Sequence, residues 1–199
     1  MTGPRLLAWI TLAIIGLVVS IILTSSGGVV ETSSTIIRWT ARTSLVMFAL
    51  AYVARPSLQL WRNAFTKTLM AERKWIGLGF AVSHAAHLAA IIALASPDFG
   101  AFLRAQPPTN AIAALTFVLL FAMAITSINA VRKKMSPRKW KLLHRTGMHF
   151  AWLSFTATYA TAAAEVPAYV IPTVILLAIA GVRLAAWMRA RAARRAAVV

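Results

Sequence analysis

Four histidines are the side chains of this chain with the clearest capacity for chemistry. They form two pairs, His84 with His87 and His144 with His149, and the first pair stands in AVSHAAHLAAIIALA, a stretch without any charged residue. A spacing of three residues places His84 and His87 on one face of a helix, about 4.5 Å apart along its axis. Ionisable groups inside apolar helices are costly and usually mark a site in the interior of a bundle.

Three kinds of site fit such histidines. Each imidazole could simply hydrogen-bond across helices and hold them together, a contribution on the order of 1 kcal/mol. Paired imidazoles from facing helices are also how helix bundles hold haem iron, and four histidines confined to two helices favour this interpretation. A zinc or copper ion is the third option, but neither helical stretch contains a carboxylate to complete the ligand shell.

The composition excludes several other classes of protein and site. Of the 199 residues 60% are hydrophobic, and 21 basic residues stand against 4 acidic ones, so the chain is not an ordinary soluble globular protein. The absence of cysteine rules out disulfides, thiolate metal sites and cysteine nucleophiles. No acid pair is placed for hydrolysis, so if the chain is an enzyme we expect an oxidoreductase with a bound cofactor.

Six apolar runs, each near the roughly 20 residues that cross a bilayer, must position the histidines. They span residues 6–24, 36–54, 75–96, 109–131, 142–163 and 167–188. The pattern predicts an all-α polytopic membrane protein, a bundle of six transmembrane helices that forms one transmembrane domain over residues 1–199. The first histidine pair falls in the third span and the second pair in the fifth.

Basic segments between the runs predict the orientation. WRNAFTKTLMAERK, VRKKMSPRKWK and RARAARR all fall on the side of Arg5, and cytoplasmic loops collect Lys and Arg. We therefore expect both termini in the cytoplasm, with a basic cytoplasmic tail over 189–199. The formal charge of +17 does not indicate nucleic acid, because the basic residues lie between the apolar runs. The predicted partner of this charge is the lipid membrane and its headgroups.

Residues 44–88, SLVMFALAYVARPSLQLWRNAFTKTLMAERKWIGLGFAVSHAAHL, resemble the ferric reductase-like transmembrane domain, as does RKWKLLHR at the start of the fifth span. The resemblance covers about residues 36–163. Within that family the chain is most similar in size to the haem-binding membrane subunits of bacterial periplasmic methionine sulfoxide reductase systems.

The resemblance implies a b-type haem between the third and fifth spans. It matches His87 to the family's third-span ligand and His144 to its first fifth-span ligand. The family's second fifth-span histidine is replaced here by Ala157. The basic motif before the third span is matched by Arg73, Lys74 and Gly77.

Depth along the helices favours a different pairing. At about 1.5 Å per residue, His84 and His149 lie at more similar depths than His87 and His144. The axial pairing therefore stays open among these four residues, and we expect one haem b, or at most two.

Two further groups of residues could have a binding, anchoring or packing role. Arg38 and Arg42, one helical turn apart at the outer end of the second span, could pair with haem propionates or with an anionic acceptor, or could anchor the helix at the membrane interface. Gly77 and Gly79 lack the strand and turn of a dinucleotide fingerprint, so we interpret them as close helix packing.

The expected function is transmembrane electron transfer in a bacterial inner membrane, as a multi-pass protein. Electrons would come from a cytoplasmic or quinol donor, with a flavin or a quinone as the candidate, and would leave to an outer acceptor. A soluble redox partner protein on either side is expected. The alternative from another class is a non-redox transporter or assembly subunit, in which the histidines relay protons or hold helices together.

Overall fold

This computed structural model describes residues 3–106 and 110–197, which contain eight α-helices and one short 3-10 helix joined by turns. The α-helices are α1 (Pro4–Thr24), α2 (Gly28–Leu60), α3 (Ala64–Ala95), α4 (Phe99–Ala105), α5 (Asn110–Ile125), α6 (Asn129–Lys133), α7 (Pro137–Glu165) and α8 (Val170–Ala196). No β-strand occurs in these ranges, which confirms the all-α prediction there. Residue 109, the start of the predicted fourth span, and the last two residues of the basic tail lie outside the described residues.

In the described ranges, four helical segments are long and apolar enough to cross a membrane: α1, α2, α3, and the segment Pro167–Ala196 that contains α8. A fifth span results if α4 and α5, which meet at a bend, form one crossing. The prediction of a multi-pass membrane protein is confirmed. Helix α7, which holds the predicted fifth span, is less apolar because threonine, serine and histidine dilute its hydrophobic residues. The count of six spans and the cytoplasmic location of both termini stay predictions.

The helix boundaries depart from the apolar runs where polar residues are helical. Helix α2 has 33 residues and begins at Gly28, eight residues before the predicted span, because the polar segment ETSST continues the same helix. The predicted fourth span is interrupted at its other end. Helix α5 ends at Ile125, and the short helix α6 follows after a turn. Hydropathy locates the membrane-buried part of a helix and not its ends.

Local signals set the starts of the two histidine-bearing helices. At α3, Asn63 Oδ1 accepts from the Thr66 backbone N–H at 2.9 Å while the Asn63 N–H donates to Thr66 Oγ1 at 3.2 Å, a reciprocal capping box. At α7, the Ser136 side chain caps the helix and Pro137 occupies its first turn. These caps fix the points from which each histidine is counted into the bundle.

Helices α2 and α3 pack along their length and form the centre of the bundle. Helix α1 lies against α3, α5 contacts α3 and α7, and α8 contacts α2 and α7. The buried centre holds three phenylalanines from three helices, Phe48 of α2, Phe80 of α3 and Phe155 of α7. Because α3 is enclosed by α1, α2 and α5, its histidines face other helices.

Gly79 marks a close approach of three helices. A Cβ placed there would lie 2.8 Å from Ile10 Cγ2 of α1 and 3.2 Å from Met47 Sδ of α2, whereas a Cβ at Gly77 would meet nothing within 4 Å. The packing interpretation is therefore confirmed at Gly79 and is wrong at Gly77.

The Gly79→Val variant is expected to lose about 1–3 kcal/mol of stability, because α1 and α2 must move apart to admit the side chain. Thermal unfolding of the purified chain in detergent measures the loss. Gly77→Val is the matched control, since it adds the same side chain to the same helix in open space. Equal unfolding temperatures for the two variants would contradict the prediction.

Candidate functional site

The α3 histidines face α2 through a chain of hydroxyl groups. His84 Nδ1 lies 2.8 Å from Ser44 Oγ, Ser44 Oγ donates to Ser83 Oγ at 2.9 Å, and Ser83 Oγ donates to the Thr40 carbonyl oxygen at 3.1 Å. A backbone carbonyl can only accept, so the chain has one direction. When each hydroxyl donates towards the Thr40 carbonyl, the His84 tautomer that fits carries its proton on Nδ1. We call the chain of hydrogen bonds that runs from His84 Nδ1 through the Ser44 and Ser83 hydroxyls to the Thr40 carbonyl the hydroxyl relay.

His87 is held in the same protonation state by a different contact. Its Nδ1 lies 3.1 Å from the Ile37 carbonyl oxygen and 3.0 Å from Thr40 Oγ1, and Thr40 Oγ1 itself donates to the Ile36 carbonyl at 2.6 Å. Both acceptors therefore require a proton on His87 Nδ1. A hydrogen-bonded Nδ1–H leaves the Nε2 lone pair available to a metal. Histidines that bind metals usually donate their other ring N–H to a neighbouring acceptor in this way.

The two rings lie side by side in an aromatic enclosure. Their centroids are 5.3 Å apart with planes 15° from parallel. His84 is only 7% exposed, and it contacts Phe80 at 4.9 Å, Phe117 at 4.9 Å and Phe155 at 5.6 Å, all between ring centroids. Within the described residues no group hydrogen-bonds to Nε2 of either histidine. The pair thus presents two ring nitrogens that have no hydrogen-bond partner among the described residues, and the His84 ring lies in apolar surroundings.

The α7 histidines lie closer to the basic end of the bundle. His149 Nδ1 is 3.3 Å from the Tyr52 hydroxyl, and His144 Nε2 is 3.3 Å from Thr126 Oγ1. The α7 ring beside His84 is Phe155, which lies six residues beyond His149 and so about 9 Å further along the helix axis.

The structure brings His84 and His87 together and keeps both apart from His144 and His149. The Phe48 ring centroid lies 5.3 Å from Phe155, which is beside His84, and 5.2 Å from Tyr52, which is beside His149. Neither of the two pairings considered from the sequence is in direct contact in this arrangement.

Comparison with known proteins adds a family to this geometry. A family model described as ferric reductase like transmembrane component matches residues 11–155. The chain belongs to this family. The match includes all four histidines and ends within α7, so α8 lies outside it. No curated protein and no solved structure matches the chain. Membership points to transmembrane electron transfer as the general activity.

The basic motif of this ferric reductase-like chain connects helices. Arg73 Nε donates to the Ala51 carbonyl of α2 at 2.9 Å, and Lys74 Nζ donates to Asn129 Oδ1 of α6 at 3.2 Å. The motif residues therefore tie the start of the α3 span to its neighbours. Ala157, which the sequence resemblance placed at the position of a family histidine, lies beyond the matched residues and is exposed.

Arg38 and Arg42 lie on an exposed face of α2 rather than beside the α3 histidines. Arg38 Nη2 donates to Thr35 Oγ1 at 3.1 Å, and the Arg42 guanidinium lies 5.0 Å above the Trp39 ring. These contacts are within one helix and use only part of each guanidinium. Both the anchoring and the anion-binding interpretations stay predictions.

The donor set of the α3 pair fits haem iron better than a bare metal ion. Among the described residues no three His, Cys, Asp or Glu side chains come together to hold a metal ion. A porphyrin already supplies four nitrogens, so one or two protein ligands complete the iron coordination. His84 and His87, with free Nε2 atoms and aromatic neighbours, meet that smaller requirement.

The sequence reasoning missed Ser44, Ser83, Thr40 and Tyr52. Ser83 precedes His84 directly, and a small hydroxyl residue beside an intramembrane histidine is a signal that was available. Ser44 and Thr40 carried no such signal, because their contacts with α3 cross about 40 residues of chain.

Proposed function

We propose that this chain carries electrons across a bacterial inner membrane on b-type haem, and that each chain binds one haem, or at most two. His84 or His87 of α3 would hold the haem iron, and His144 and His149 of α7 are the further candidates. Haem supplies reversible one-electron transfer when bound. A cytoplasmic or quinol donor, with a flavin or quinone as the candidate, and an outer acceptor complete the path.

One observation carries this proposal: both α3 imidazoles have their Nδ1 hydrogen-bonded to acceptors and their Nε2 free. Histidines that only hold helices together would be expected to use both nitrogens for contacts with neighbouring helices. A ligand instead needs one nitrogen oriented by a neighbour and the other left available. The phenylalanines around His84 give that ring apolar surroundings, and the polarity of the surroundings tunes a haem potential in a bundle.

A narrower assignment rests on the same family. We propose that the chain is the haem-binding membrane subunit of a periplasmic methionine sulfoxide reductase system, with a soluble redox partner on either side of the membrane. The support is the family membership.

The test is an absorbance spectrum of the purified chain from haem-replete cells, oxidised and then reduced with dithionite, with a pyridine haemochrome count. A sharp reduced b-type spectrum is expected. Single alanine replacements of the four histidines then assign the ligands, and bound haem should fall at least about tenfold for an α3 ligand.

Thr68→Ala is the control for these replacements. Thr68 is exposed on α3, and its hydroxyl bonds only to the Ala64 carbonyl of the same helix. A colourless parent protein, or four histidine variants that all retain haem like the control, would overturn the haem proposal and favour a non-redox membrane role.

A further inference from the structure

A cleft of about 740 Å³ lies between α2, α7 and α8. Each helix contributes residues at helical spacing, so three continuous faces meet there. The lining includes Tyr52 and Arg55 of α2, Arg145 and His149 of α7, and Arg183 and Arg194 of α8. Because α8 lies beyond the residues that match the family, one wall of this cleft is outside the family pattern.

The four arginines of the cleft face no carboxylate. The acidic residues of the chain are Glu31, Glu72, Asp98 and Glu165, and none of them lines the cleft. Glu72 accepts from the backbone N–H of Gly3. The other three stand at the opposite ends of α2 and α7 and at the start of α4. No carboxylate of the described residues therefore neutralises the positive charge of the cleft.

Arg183 is the most unusual member of the group, because it lies within an apolar span. It is the only charged residue between 167 and 188, inside a segment long and apolar enough to cross a membrane. Its guanidinium lies 4.6 Å above the Tyr52 ring and donates to the Tyr52 carbonyl at 3.4 Å. A guanidinium has five N–H donors, so most of them remain for a ligand. A charged residue within an apolar span usually marks a functional site.

We propose that this cleft binds the phosphate group of an anionic phospholipid. Basic pockets between membrane helices bind such headgroups, and the arginine fork matches the oxygens of a phosphate. The cleft lies at the ends of α2 and α8 that carry the basic segments, where headgroups are expected. Trp187 lines it as an interfacial aromatic does, and Leu184 with Ala180 offers apolar surface to an acyl chain.

Native mass spectrometry of the full chain in detergent tests the proposal. Delipidated protein is titrated with phosphatidylglycerol, with phosphatidylcholine, or with inorganic phosphate at constant ionic strength. The expected result is one phosphatidylglycerol retained in preference to phosphatidylcholine. The Arg55→Gln/Arg145→Gln variant should bind it about twenty-fivefold more weakly, the product of about fivefold for each arginine.

Arg138→Gln/Lys139→Gln is the matched control, because it removes the same charge from the start of α7 outside the cleft. Both cleft arginines of the test variant are exposed, and the unfolding temperature without lipid checks that the variant is folded. Equal retention of the two lipids, or equal losses in the test and control variants, would overturn the proposal. Displacement of the lipid by inorganic phosphate at low concentration would also overturn it, because the ligand would then be a soluble phosphate compound.

Discussion

The Ser44→Ala variant is expected to bind haem about ten- to a hundredfold more weakly than the parent chain, the usual effect of removing an outer contact of a metal-ligating histidine. Ser44 Oγ accepts a hydrogen bond from His84 Nδ1 at 2.8 Å and donates one to Ser83 Oγ. Without it the His84 ring can place its proton on Nε2, which removes the ligand lone pair. The buried Nδ1–H would otherwise stay unpaired at a cost of about 1–3 kcal/mol.

Two measurements separate this effect from a general loss of structure. Titration of haem into the haem-free chain gives the affinity, and ¹⁵N NMR of the imidazoles in the haem-free chain reports which ring nitrogen of His84 is protonated. Thr116→Val is the control, because Thr116 is a buried hydroxyl that bonds only to the Ile112 carbonyl of its own helix. Unchanged haem affinity together with a proton still on Nδ1 would show that the hydroxyl relay does not orient His84.

The Phe48→Ala variant is expected to lose about 3–5 kcal/mol of stability, among the largest losses for a single replacement. Phe48 is fully buried and its ring centroid lies 5.2 Å from Tyr52, 5.7 Å from Phe80 and 5.3 Å from Phe155. Helix association in a membrane depends on side-chain packing rather than on the hydrophobic effect, so the cavity is not offset by lipid.

Denaturation of the purified chain in detergent measures this loss. Val46→Ala, two residues away on α2 and 59% exposed, shortens a side chain at the surface of the same helix. It should change stability by less than about 1 kcal/mol. Similar losses in both variants would mean that the three-helix phenylalanine contact is not the centre of the core.

Composition and hydropathy were sufficient for the fold class. The apolar runs predicted an all-helical membrane chain, and the helices that contain runs one, two, three and six are apolar enough to cross a membrane. The histidines and the glycine-containing basic motif before the third span were sufficient for the family, which the match over residues 11–155 confirms. These signals are local, because each depends on residues within one helix or at its ends.

Boundaries were less predictable, since polar residues can be helical outside the membrane. Helix α2 extends well beyond its apolar run, and the predicted fourth span ends early at Ile125. Hydropathy measures the transfer of side chains into lipid, whereas a helix end depends on capping and backbone hydrogen bonds. The two quantities need not change at the same residue.

At the candidate site, part of the arrangement follows from the sequence and the rest only from the tertiary structure. The sequence by itself determined which residues could serve as ligands and that His84 and His87 share a helix face. Only the tertiary structure decided that Phe155, rather than His149, stands beside His84, that Ser44 orients that ring, and that three helices bring four arginines to one cleft. The rotation and the axial register of one helix against another follow from side-chain packing between residues far apart in the chain, and no single helix carries that information.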